Sequence, residues 1–148
     1  VHTVIEYYDG PRRGIADFNG KPHFFESDFR DVDDGERDTF NLYPLSVELF
    51  LLAMEDWAIW LRWHDAYSTG TATIESHPAL PEDRERHDEL ERLLRWDKLV
   101  QTPPAARMHG QFDALPGARN AGTTARGFLV QWTPIETPRY AAQQDDEG

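Results

Sequence analysis

No cysteine occurs in the chain, which excludes a disulfide scaffold and any thiolate-ligated metal site. Lysine is nearly absent as well: Lys21 and Lys98 are its two occurrences, and the rest of the 15 basic residues are arginine. Basic charge as a whole is short, 15 residues against 27 acids for a net charge of −12. Such a field repels phosphates, so a nucleic-acid partner is not expected. High-GC coding or salt adaptation accounts for both features without invoking a function. Long apolar runs are missing too. The most apolar window, Leu45 to Leu61, carries Glu48, Glu55 and Asp56, which argues against a membrane span. The opening residues Val1 to Glu6 show no basic start followed by an apolar run, so no signal peptide is visible and a cytoplasmic location is expected. No internal repeat or low-complexity stretch is present.

Familiar catalytic signatures are absent in the same way. The chain has no His-Glu-x-x-His or Glu-x-x-His, no Gly-x-Ser-x-Gly elbow, no Gly-x-Gly-x-x-Gly and no Gly-Lys-Ser/Thr phosphate loop. Neither a cofactor nor a metal is implied.

What the chain does contain is aromatic carbon. Eight Phe, five Tyr and five Trp within 148 residues that are 39 % hydrophobic are too many for a solvated coil. The length suits one globular domain, expected over residues 1–142, with an acidic, flexible tail at 143–148.

Thr3 to Tyr8 and Gly14 to Phe18 are rich in strand-forming types. Asn19-Gly20 then predicts a tight type I′ turn, whose two central positions both need positive φ, and Lys21 to Glu26 returns as the partner strand. Pro22 places that strand at an edge or at its own first residues. Thr39 to Tyr43 is a fourth strand. Ser46 is an N-cap for a helix to about Tyr67, in which Glu48, Glu55 and Arg62 form a thin polar stripe on an otherwise apolar surface. That pattern predicts a central helix buried on nearly all sides. A second helix is expected over Glu82 to Leu99, its first half a solvated, mixed-charge face. Ala106 to Leu115 and Arg126 to Thr133 complete the order ββββ-αα-ββ. This is an α+β arrangement, expected as a mostly antiparallel, bent sheet or partial barrel packed on the central helix.

Four groups of residues could carry function. Between Glu26 and Asp38 lie seven acids, among them Asp28, Asp31, Asp33, Asp34 and Glu36, against Arg30 and Arg37, a formal charge of −5. Clustered like charge costs stability through self-repulsion, and a basic partner is one reason for it; solubility is the plainer one. Trp57, Trp60 and His64 fall within about 60° on a helical wheel and could line a cleft for a planar or cationic ligand, although such stripes are more often core. Arg12 and Arg13, in a loop Asp9 to Gly14, could hold a carboxylate or phosphate, or pair internally with the acidic segment. Asp83, His87 and Glu91 form an i, i+4, i+8 row able in principle to hold a divalent ion, but exposed charge pairs are the simpler account.

The leading expectation is a non-enzymatic acidic binding protein, of the antitoxin, immunity or inhibitor kind, that engages a basic macromolecular partner through Asp28 to Asp38. The alternative is a small-molecule enzyme or ligand binder with an aromatic cleft beside helix 46–67. A third reading is a structural subunit whose aromatic excess forms a homo-oligomer interface.

Overall fold

The computed structural model describes residues 1–8, 10–28, 38–114 and 128–135. Six strands form one antiparallel sheet in the order β1-β2-β3-β4-β5-β6: β1 Thr3–Tyr7, β2 Pro11–Phe18, β3 Lys21–Ser27, β4 Thr39–Pro44, β5 Ala106–Ala114 and β6 Phe128–Pro134. Every strand pairs with its neighbour in sequence, so the fold is a meander interrupted once, between β4 and β5, by helices. These are α1 Val47–Ser68, α2 Arg84–Leu93 and α3 Trp96–Leu99, with short 3-10 turns at Ile74–Ser76 and Pro81–Asp83. The sheet curls into a half-barrel, as the order ββββ-αα-ββ predicts.

Local chemistry explains the first hairpin. Asn19 and Gly20 both adopt positive φ, 55° and 74°, and the turn sets Phe18 opposite Lys21. Pro22 lies at the second residue of β3, before pairing with β4 begins at His23, so its missing N–H interrupts no central ladder. Strand β2 starts earlier than its composition suggests. Arg12 and Arg13 belong to it, not to a loop, and adjacent strand residues point to opposite faces. They therefore do not act together as a clamp. Arg12 is buried, donates from Nε to the Tyr8 carbonyl at 2.6 Å and pairs with Asp38 at 3.1 Å. Arg13 meets its cross-strand neighbour Glu26 at 3.3 Å.

Register sorts the sheet into two faces. Ile15, Phe24 and Tyr43 lie side by side and pack with Ala53, Ile59, Leu90 and Leu94 under the helices. Gly14, Phe25 and Leu42 occupy the other face, which the curl turns inward. There Phe25, Phe40, Phe112 and Trp132 pack edge-on and tilted, with ring centroids 5.1–6.1 Å apart. Gly110 permits this, since a Cβ at that position would lie 2.6 Å from the Trp132 ring and 2.8 Å from Phe40. Trp132 Nε1 on β6 also donates to the Asp17 carbonyl on β2 at 3.0 Å, across the curl.

Ser46 caps α1, its Oγ accepting from the Leu49 N–H at 3.1 Å. Full burial of this helix is not what forms. Ala53, Trp57, Ile59 and Trp63 are buried, but Val47 is 73 % and Leu51 61 % exposed, and Tyr67 is also exposed. A helix lying on one sheet face and flanked by α2 is covered on two sides, and these residues lie on neither. The polar stripe is instead a seam. Glu55 receives a fork from Arg86 of α2 at 2.6 and 2.7 Å, and Arg62 forks onto Asp83 at 2.9 and 3.0 Å.

The second helix is shorter than its sequence predicts. Leu94 turns extended (φ −89°, ψ 93°), ending α2, and Trp96 stacks on Phe24 with centroids 4.6 Å apart. A straight continuation would not deliver both buried Leu94 and Trp96 to the sheet. No helix among the described residues is long and apolar enough to cross a membrane.

Candidate functional site

A cavity of about 410 Å³ opens between the β1 edge, α1, the His77-Pro78 segment and α2. Its chemistry comes from Asp56, Trp57 and Trp60 on α1, His77 on the connecting segment, and His87 and Glu91 on α2. Each is placed by an ordinary structural device. Trp57 and Trp60 are three apart on the helix and stack in parallel, centroids 4.9 Å apart at 13°. His64 extends the stack from Trp60, at 4.8 Å and 23°, but lies beyond the cavity wall. His77 is positioned edge-on against Trp63 at 4.6 Å, while Trp63 Nε1 fastens the same segment by donating to Ser76 Oγ at 2.9 Å.

His87 is 7 % exposed, not part of a solvated face. Its Nδ1 lies 2.7 Å from Asp56 Oδ1 on α1. An ionised carboxylate can only accept, so Nδ1 carries the proton in the neutral ring and Nε2 keeps its lone pair. That nitrogen makes no hydrogen bond among the described residues, the nearest carboxylate oxygen being Glu91 Oε1 at 3.7 Å. Burial pushes the Asp56 carboxyl above the usual carboxylate range, with Glu91 and Glu55 adding to the rise, and the His87 hydrogen bond opposes it. The result is a carboxylate–imidazole pair on the wall of an aromatic cavity.

The row Asp83, His87, Glu91 does not assemble as a chelate. Arg62 takes Asp83, which leaves His87 and Glu91 of the row facing one another. Asp88 presents an oxygen within 4.8 Å of ligand atoms of both, and lies 3.7 Å from the Arg84 guanidinium. Both carboxylates are at the surface, Glu91 with 69 % of its side chain exposed.

Of the acidic segment, Asp31, Asp33, Asp34 and Glu36 lie outside the described residues. Asp28 accepts from Arg107 at 2.9 Å and Asp38 pairs with Arg12. Arg12 and Arg13, tied to Asp38 and Glu26, do not line the cavity.

Asp56 is the cavity side chain that the sequence reading passes over. Its signal is positional. It lies 100° from Glu55 and so off the polar stripe, next to Trp57 on the apolar side, where an acid has no reason to be unless something meets it. Comparison with family models, with curated proteins and with solved structures finds no match to this chain.

Proposed function

We propose that the protein binds a small organic molecule in the cleft between β1, α1 and α2, with His87 as its hydrogen-bonding and proton-accepting group. One observation carries the reading. The His87 ring is buried with Asp56 fixing its tautomer, yet the other nitrogen is left without a partner on the wall of a cavity faced by two stacked indoles. That nitrogen is not among the sealed, unbonded polar atoms of the described residues, Arg13 Nε and His109 Nδ1, so it stays open to a donor that enters the cavity. The aromatic walls supply contact area, and the carboxylate-held imidazole is the arrangement that serves general-base chemistry where a reaction follows binding.

The test is a fragment titration followed by the indole N–H resonances. Ligands in the cleft shift Trp57 and Trp60 and leave Trp132 unmoved, and His87→Gln weakens them. Shifts confined to other tryptophans, or none across a chemically varied set, defeat the reading.

A second reading keeps the acidic segment as a docking site for a basic macromolecular partner, supported by its sequence charge of −5. Three of its carboxylates, Glu26, Asp28 and Asp38, already meet arginines of this chain, which favours the cleft. Neutralising Asp31, Asp33, Asp34 and Glu36 to Asn or Gln would abolish capture of a basic protein if this second reading holds.

A further inference from the structure

We infer that the cleft selects a protonated amine with an apolar body; this rests on the cleft being a ligand site. Of the polar side chains that line it, which include Thr3, Tyr7 and His77, three offer acceptors close to one another. Asp56 offers carboxylate oxygen and Glu91 a second carboxylate at the rim. His87 Nε2 offers a lone pair, because Nδ1 donates to Asp56. The imidazole is more than nine-tenths buried and its unbonded nitrogen is 3.7 Å from Glu91. That nitrogen and that carboxylate can both be reached by one ammonium group lying between them, which has three N–H donors to distribute.

The walls ask for the same charge. Trp60 is stacked between Trp57 and His64, whereas Trp57 is stacked on one side, and a cation within about 6 Å of an open indole face is attracted by the ring quadrupole. No lysine or arginine lines the cavity to compete for the carboxylates. Arg13, Arg92 and Arg95 line a neighbouring depression that shares Glu91 with the cavity, where Arg95 is forked onto Asp97 at 2.9 and 3.0 Å and Arg13 meets Glu26 at 3.3 Å. The chain's net charge of −12 adds an attractive long-range field for cations. An anion meets repulsion from both carboxylates and from the net charge. A neutral ligand of the same shape keeps the wall contacts and loses the charge.

Room and shape narrow the class. A cavity of about 410 Å³ exceeds what a bare ammonium or a metal ion fills, and its apolar walls, Val4, Ile5, Trp57 and Trp60, need carbon against them. Amines carrying an aromatic or branched aliphatic group meet both requirements.

Three matched probes test this: phenethylamine, 2-phenylethanol and phenylacetate, titrated by calorimetry and by the Trp57 and Trp60 indole resonances. The expected order is amine tightest, by about 10-fold over the alcohol, with the acid weakest. Adding salt narrows the gap between amine and alcohol. Glu91→Gln, at a position with 69 % of its side chain exposed, brings the amine towards the alcohol and leaves the alcohol unchanged. Trp60→Leu weakens both together. Equal affinity for amine and alcohol, or a preference for the acid, overturns the amine inference while the cleft stands as a ligand site. If no probe moves the cleft indoles, both fall.

Discussion

Two aromatic assemblies of similar size lie on opposite sides of the curled sheet and have different fates. Inside the curl, Phe25, Phe40, Phe112 and Trp132 meet at centroid separations of 5.1–6.1 Å in edge-on and tilted pairs, with Phe25 and Phe40 sealed from solvent. Beside α1, Trp57, Trp60 and His64 run in a parallel stack from a buried indole to half-buried rings, and two of them face a cavity. Aromatic content does not separate core from cleft; the polar company does. The interior group has a glycine, Gly110, making room for its rings, and one indole N–H that finds a backbone carbonyl. The cleft group has a buried imidazole and the largely covered Asp56 carboxylate, groups that cost free energy to desolvate and that a plain core excludes, with Glu91 exposed at the rim.

The largest expected effect falls on the closed assembly. Phe40→Ala should cost about 3–5 kcal/mol, measured by denaturant unfolding, because the hole is ringed by Phe25, Phe112 and Trp132 and has little scope to collapse. Trp60→Leu in the open stack should cost far less stability, and a comparable loss there would erase the contrast.

Gly110→Ala tests the same interior from the opposite direction. Its added methyl meets Trp132 and Phe40 below 3.0 Å, and overpacking of this kind typically costs about 1–3 kcal/mol. A neutral outcome would show that the interior rings yield as readily as those of the cleft.

The Asp56–His87 pair makes a pH-dependent prediction. Asp56 has its folded-state pKa raised, so between the ordinary value of 3.8 and the raised one the folded chain holds the extra proton. Its contribution to stability is therefore fully present at low pH and is lost as pH rises through the folded value. Asp56→Asn removes that loss, so the variant should gain on the wild type as pH rises above the ordinary carboxylate range in parallel unfolding series. Divergence in the opposite direction would mean that the His87 interaction outweighs burial.

The smallest effect belongs to the seam beside the cleft. Asp83 has its carboxyl held below the usual range by the Arg62 hydrogen bond, so its contribution is present above that range and is lost as pH falls. Asp83→Asn should cost no more than about 1 kcal/mol at neutral pH, and less under acid, since the pair is partly solvated.

Much of the fold was legible along the chain. Strand-forming residues in Gly14 to Phe18 and Lys21 to Glu26, joined by Asn19-Gly20, state a hairpin with its register, because turn geometry is a local property. Ser46 states where α1 begins, again through a bond made three residues away. The site was only half legible. Trp57 and Trp60 share a wheel face, but whether that face closes or opens depends on what lies 20 or 30 residues on. Asp56 and His87 are separated by 31 residues, and no spacing rule spans two helices whose crossing is set elsewhere.

The sequence by itself determined the class of the fold, the order of its elements, the tight turn, the helix cap and the acidic field, each of which depends on neighbours a few residues apart or on composition summed over the chain. The tertiary structure alone decided the outcome of contacts between distant segments. It turned the α1 polar stripe into a seam with α2, left Val47 and Leu51 outside, bent the second helix at Leu94 so that Trp96 could reach Phe24, and brought Asp56 to His87. The physical reason is the same in each case. Burial and ion pairing are properties of surfaces that meet, and which surfaces meet is settled by packing the helices onto one face of a sheet that curls away on the other.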